Sequence, residues 1–224
     1  MKFIFMLTNN DRTVDNAMEA LESVKSSGLH YVGFKDVGST PQSMRELVDC
    51  AHGAGMEVML EVVSTSAESE LTSVRAAVEA GFDWVLGGTN APLALPILAG
   101  TTIKYCPFTG RVVGHPSRLE GSIKDIAQHT KELTSMPGVH GVDVLTYRHA
   151  DADHFELTKA VVDACPGPVI VAGSIVTEEQ IRRQHDAGAW GFTIGSAIFE
   201  HQIPGGPTIA DQVHWVLDVS GFMS

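Results

Sequence analysis

Short apolar runs alternate along the chain with stretches whose apolar residues recur at helical spacing. The runs that read as strands are Lys2–Thr8, Tyr31–Asp36, Glu57–Val63, Trp84–Gly87, Thr102–Cys106, Gly141–Tyr147, Val169–Ala172 and Phe192–Gly195. Between them Val14–Ser27, Gln42–Ala54, Ala67–Ala80 and Ile123–Thr134 read as amphipathic helices, and Thr208–Val219 as a last one. Helix starts are signalled by Thr40-Pro41, by Ser66 ahead of Glu68, and by Thr177-Glu178-Glu179. One junction recurs: Gly28, Gly55, Gly81 and Gly188 each follow a helix and precede an apolar strand, as a left-handed helix cap would.

Runs such as Phe3-Ile4-Phe5-Met6-Leu7 and Val169-Ile170-Val171-Ala172 are apolar on both faces, which parallel strands covered on both sides require. Eight βα units with no element left over predict one α/β domain over residues 1–224, a closed (β/α)8 TIM barrel. An open doubly wound sheet is the competitor, but no G-x-G-x-x-G follows the first strand.

Composition narrows the function. Fifteen Lys and Arg against 27 Asp and Glu give a net charge of −12, which argues against a broad nucleic-acid surface. The charge-free stretch Trp84–Ile103 is broken by Gly, Pro, Asn and Thr, so no membrane span is expected. The apolar amino terminus reaches Asn9-Asn10-Asp11 too soon for a signal peptide. Cys50, Cys106 and Cys165 form neither a disulfide framework nor a zinc cluster. A reduced, cytoplasmic protein is expected, with self-association left open.

In a barrel the chemistry sits at the carboxyl ends of the strands, with a phosphate site after strands seven and eight. Those ends read Gly173-Ser174-Ile175 and Gly195-Ser196-Ala197-Ile198. A glycine after a buried strand lets an anion approach the backbone, and the following serine and helix start add donors. Gly173, Ser174, Gly195 and Ser196 are therefore the expected phosphate binders; the plainer alternative is turn glycines and capping serines.

Ala172-Gly173-Ser174-Ile175, Thr177-Glu178-Glu179-Gln180-Ile181, Ala187-Gly188-Ala189 and Gly195-Ser196-Ala197-Ile198-Phe199 together resemble the closing quarter of the ribulose-phosphate-binding barrel superfamily. The resemblance implies a phosphorylated small-molecule ligand and carbohydrate-phosphate chemistry: epimerase, isomerase, decarboxylase or aldolase. A lysine ending the second strand is similar to the N-acetylmannosamine-6-phosphate epimerase branch, although Ala172 stands where that branch has a glutamate.

Charged residues at strand ends nominate the chemistry, because burying one is costly unless it is paired or used. Lys35 and Glu61 form the leading acid/base pair, with Lys104 and Asp143 in reserve. Either Lys35 or Asp36 faces inward, and Lys35 does so if Phe34 packs under the helices; the same parity puts Asp143, Leu145 and Tyr147 on one face. These charges could equally form a structural ion network. Arg111, in the long loop Pro107–Arg118, and Arg148 after strand six are expected to meet an anionic substrate. His149, Asp151, Asp153 and His154 could ligate a metal, but Asp153 with Glu156 also makes a helix cap, and no metal or cofactor is assigned. The leading expectation is an isomerase, epimerase or aldolase acting next to a carbonyl. The alternatives are a non-catalytic phosphometabolite sensor and an FMN-binding oxidoreductase.

Overall fold

The fold follows from a computed structural model that describes residues 1–221; the last three residues of the expected domain lie outside the described residues. Eight parallel strands make the central sheet: β1 (Lys2–Met6), β2 (Tyr31–Lys35), β3 (Glu57–Val62), β4 (Trp84–Gly87), β5 (Lys104–Cys106), β6 (Val142–Val144), β7 (Val169–Val171) and β8 (Gly191–Ile194). Their order is β6-β7-β8-β1-β2-β3-β4-β5. The seam between β5 and β6 closes through single hydrogen bonds. Asp143 N–H donates to Pro107 O at 2.9 Å, and Thr109 N–H to Asp143 O at 3.0 Å. The result is the (β/α)8 barrel that the sequence predicts.

Helices α1 (Ala17–Val24), α2 (Pro41–Gly53), α3 (Ala67–Ala80), α4 (Ala91–Leu98), α5 (Ile123–Thr134), α6 (His154–Ala164), α7 (Glu178–Asp186), the short α8 (Ser196–Phe199) and α9 (Ile209–Gly221) follow the strands. Their starts are where the sequence marks them. Thr40 and Thr177 make reciprocal caps with Ser43 and Gln180, and the Ser66 side chain accepts from Ser69 N–H. Gly81 ends α3 at φ 79°, a left-handed conformation natural to glycine, and Gly28, Gly55 and Gly188 adopt the same hand. The uncharged run Trp84–Ile103 divides into β4 and α4, and among the described residues no helix is long and apolar enough to cross a membrane.

Strand parity sorts the core into two layers. Phe3, Phe5, Phe34, Val58, Leu60 and Val85 point out under the helices, with Phe34 against Phe82 at 5.0 Å between ring centres. Ile4, Met6, Met59, Leu86, Cys106 and Ile170 fill the barrel. Each such fully buried aliphatic or aromatic side chain contributes about 1.5–3 kcal/mol. At the amino end, Trp84, Trp190 and Tyr31 plug the barrel, with Trp84 and Trp190 at 5.2 Å and Tyr31 on Trp190 at 5.5 Å.

Candidate active site

Lys35 is the last residue of β2 and sits in register with Glu61 on β3, so both side chains project into the barrel mouth. Phe34 packs outward and Asp36 turns to the helix side, where it accepts from Val63 N–H (2.9 Å) and Ser73 Oγ (2.8 Å), as parity demands. Lys35 Nζ lies 3.4 Å from Glu61 Oε1 and 2.6 Å from Asp11 Oδ1.

Asp11 was not among the residues nominated from sequence, yet it organises the site. β1 is followed by a hairpin, Thr8–Asn9 against Arg12–Thr13, whose two-residue turn is Asn10-Asp11. Both turn residues have positive φ (48° and 58°), which a type I′ hairpin requires and Asn and Asp tolerate best. The turn directs the Asp11 carboxylate inward. There it accepts from both Arg148 nitrogens (Nη1 at 2.6 Å, Nη2 at 2.7 Å), from Lys35, and from Ser117 N–H at 2.8 Å. Burial alone would raise its pKa, but the Arg148 and Lys35 partners outweigh burial and hold it well below the usual carboxylate range. The sequence signal was present as an Asn-Asp turn dipeptide directly after a buried strand.

Glu61 behaves oppositely. It is 2% exposed, and burial pushes its pKa up, aided by the Asp11 charge, with Lys35 pulling against them. Arg148 lies in the turn after β6, and its guanidinium packs on Gly173, where a Cβ would overlap the Arg148 Nε. Gly173 and Ser174 both have positive φ, so this loop turns back sharply and bares its backbone. The N–H groups of Gly173, Ser174 and Ile175 meet no acceptor among the described residues, while those of Val176 and Thr177 are taken by the Gln180 side chain. After β8, a Cβ at Gly195 would stand 2.6 Å from Thr8 Oγ1, so the loop lies flush against the β1 hairpin. Asn10 N–H donates to Ser196 Oγ at 3.1 Å and so orients that hydroxyl.

These groups surround one cavity of ≈200 Å³. Gly173, Ser174, Gly195 and Ser196 line it together with Lys35, Glu61, Asp11 and Arg148. A shallower cleft of ≈510 Å³ opens outside it, sharing Asp11, Arg148, Ser174 and Ser196 and adding Arg118 and His149.

Other nominated residues fall elsewhere. Asp143 faces the barrel interior but is fully buried and does not line the cavity. Lys104 is the first residue of β5 and so stands at the amino end of the barrel. It is half exposed there, 4.3 Å over Trp84 and 3.4 Å from Glu57, and takes no part in the mouth. Arg111 lies on a hairpin, Arg111–Val113 against Arg118–Glu120, and points out to Glu120 at 3.3 Å; Arg118 reaches the outer cleft instead. Tyr147 does not share a face with Asp143, because β6 ends at Val144 and Tyr147 enters a 3-10 turn whose hydroxyl accepts from Gln184 at 2.8 Å. In the stretch weighed as metal ligands, the Asp153 side chain caps α6, and His149 accepts from Asp151 and Ala152 N–H.

No protein-family model and no curated protein matches the sequence. Solved structures do match over nearly the whole chain. The native KDPGal structure is 17% identical with a TM-score of 0.69, covering 100% of this chain and 96% of that one. Orotidine 5'-phosphate decarboxylase from Pyrococcus horikoshii OT3 is 14% identical with a TM-score of 0.69, covering 97% and 98%. N-acetylmannosamine-6-phosphate 2-epimerase from Clostridium perfringens is 13% identical with a TM-score of 0.62, covering 99% and 93%. This chain therefore has the barrel fold that its resemblance to the ribulose-phosphate-binding superfamily implies.

Proposed function

We propose that the protein is an enzyme acting on a small phosphorylated carbohydrate, moving a proton at a carbon next to a carbonyl. The observation that carries this reading is a single cavity lined both by backbone donors and by paired ionisable side chains. A phosphate would sit on the free N–H groups of Gly173–Ile175 and on the Gly195-Ser196 turn. The carbon end of the ligand would then meet Lys35 and Glu61. Glu61, its basicity raised by burial, takes the proton from carbon, and Lys35 stands ready to stabilise the oxygen that becomes negative. Lys35 lies between two carboxylates, an arrangement that suits a charged ammonium better than an amine nucleophile, so acid/base chemistry is favoured over a Schiff base. The neighbours that act on phosphorylated ligands by their names, the decarboxylase and the epimerase, agree with this class of ligand. The cavity of ≈200 Å³, with the ≈510 Å³ cleft outside it, has room for a short sugar phosphate. A sensor would need the phosphate donors but not the buried charges.

The test is a thermal-shift screen of phosphorylated sugars, with inorganic phosphate as the simplest probe. A ligand at about 100 times its Kd adds about 2.7 kcal/mol to stability. A selective shift, with turnover lost in Lys35→Met and Glu61→Gln while the shift persists, is the expected result. A melt that no phosphorylated compound moves would remove the basis of the proposal.

A further inference from the structure

A buried threonine gives its hydroxyl a partner, because a polar atom left unpaired away from water is costly. Most of the buried threonines here do so. Thr13 Oγ1 donates to Lys35 O at 2.7 Å, Thr109 and Thr130 share a hydrogen bond of 2.7 Å, and Thr146 and Thr158 share one of 2.9 Å. Thr8 (5% exposed) and Thr193 (4%) are different: among the described residues neither hydroxyl has a hydrogen-bond partner. These same two threonines line the ≈200 Å³ cavity. Thr193 stands in register with Ile4, which fills the barrel, while its neighbour Phe192 stacks on the outward-facing Phe3. Parity therefore turns the Thr193 side chain inward. Thr8 enters from the hairpin after β1, and a Cβ added at Gly195 would stand 2.6 Å from its Oγ1, so this hydroxyl lies against the Gly195 turn. Thr193 is two residues before Gly195 along β8, about 6–7 Å deeper in the barrel at the usual rise per residue.

We propose that Thr8 and Thr193 read the hydroxyl groups of the ligand, Thr8 the one nearest the phosphate and Thr193 one farther along the carbon chain. The ligand class is then a phosphate monoester of a polyol or hydroxy-carbonyl compound that keeps its hydroxyls beyond the ester. A deoxy chain of the same length is discriminated against. A threonine hydroxyl both donates and accepts, so it pairs with C–OH or C=O, and its branched side chain is stiff enough to aim it. A hydroxylated ligand supplies each buried threonine with its missing partner, whereas a deoxy chain leaves that group unpaired. Both residues set specificity and neither moves a proton. The assignment rests on the phosphate reading above.

Isothermal titration calorimetry with inorganic phosphate, n-propyl phosphate and glycerol 3-phosphate tests it. The two esters share their length and charge and differ only in their hydroxyls. One neutral hydrogen bond changes affinity by about two- to tenfold, so glycerol 3-phosphate should bind the wild type about four- to hundredfold more tightly than propyl phosphate. Thr8→Val and Thr193→Val keep the branched shape and remove only the hydroxyl. Each should narrow that ratio by about two- to tenfold while leaving the affinities for inorganic phosphate and propyl phosphate in place. Thr8→Ser and Thr193→Ser, which retain a hydroxyl, should restore the ratio. A purely structural role would instead lower the Tm and weaken all three ligands alike. Equal affinities for the two esters in the wild type would overturn the proposal, and so would a ratio that both valine variants leave unchanged. If a valine variant does not fold, the alanine variant at that position is read in its place, and the wild-type ratio alone can still overturn the proposal. Binding of phosphate and both esters without discrimination sinks the hydroxyl reading alone. Binding of none of the three removes the phosphate reading, and this one with it.

Discussion

Asp11→Asn is the substitution that most directly probes how the site is held together. Asparagine keeps the size of the side chain and its tolerance of positive φ, so the hairpin turn at Asn10-Asp11 survives. What is lost is the charge that accepts from Lys35 at 2.6 Å and from Arg148 at 2.6 and 2.7 Å, at a residue only 2% exposed. Removing one partner of a buried ion cluster typically costs about 3–5 kcal/mol, because the remaining charges are stranded. A chain of this length moves its Tm by about 2–4 °C per kcal/mol, so the melt should fall by about 6–20 °C at pH 7. The pH dependence fixes the cause. The Asp11 pKa is depressed in the folded state, so its ionic contribution is present above the unfolded value of about 3.9 and is lost as pH falls toward the folded value. Chemical denaturation of both proteins from pH 7 down into the acid range should show a constant gap above about pH 5 that closes below about pH 4. A gap under 1 kcal/mol at pH 7, or one that does not close in acid, would refute the account of Asp11 as the shared counter-ion.

Two further substitutions separate the two ends of the barrel. Gly173→Ala places a Cβ against the Arg148 guanidinium at a residue with φ 80°, and should cost about 1–3 kcal/mol while abolishing the thermal shift given by phosphate. A variant that still binds phosphate with wild-type affinity would detach this loop from the anion. Lys104→Met removes a half-exposed cation over Trp84 and should change stability by less than about 1 kcal/mol, with turnover of whatever sugar phosphate is found unchanged. A large loss of turnover there would contradict its placement at the closed end.

Much of this was legible from local rules. The eight strands, the capping threonines and the left-handed glycines are set by residues a few positions apart, and Lys35 points inward because Phe34 must point outward. Parity says which face a residue takes but not which end of the barrel it reaches. Lys104 and Cys106 share the interior face of β5, and strand length together with the stagger between β4 and β5 puts Lys104 at the plugged end. Strand six read as Gly141–Tyr147 because its apolar run continues, but the chain turns at Leu145 (ψ 55°) and carries Tyr147 away to α7. Asp11 escaped for a different reason. Its role depends on partners 24 and 137 residues distant, Lys35 and Arg148, which no window along the sequence brings together.

The same cluster bears on how an acidic chain could hold a phosphate. With a net charge of −12, long-range attraction of a dianion is absent, and the two cations of the mouth, Lys35 and Arg148, are already engaged by Asp11. Lys35 and Arg148 are therefore poor candidates for supplying the charge that captures the ligand. Binding would fall instead to donors that need no counter-ion, the backbone N–H groups of Gly173–Ile175 and the oriented hydroxyl of Ser196. On the proposed function, the cations would instead answer charge that develops later at the carbon end. Asp11 holds both of them in place at that end of the cavity. On the proposed function, a site built this way would use little of its side-chain charge for ground-state capture and would keep it for the step at carbon, where differential stabilisation accelerates a reaction.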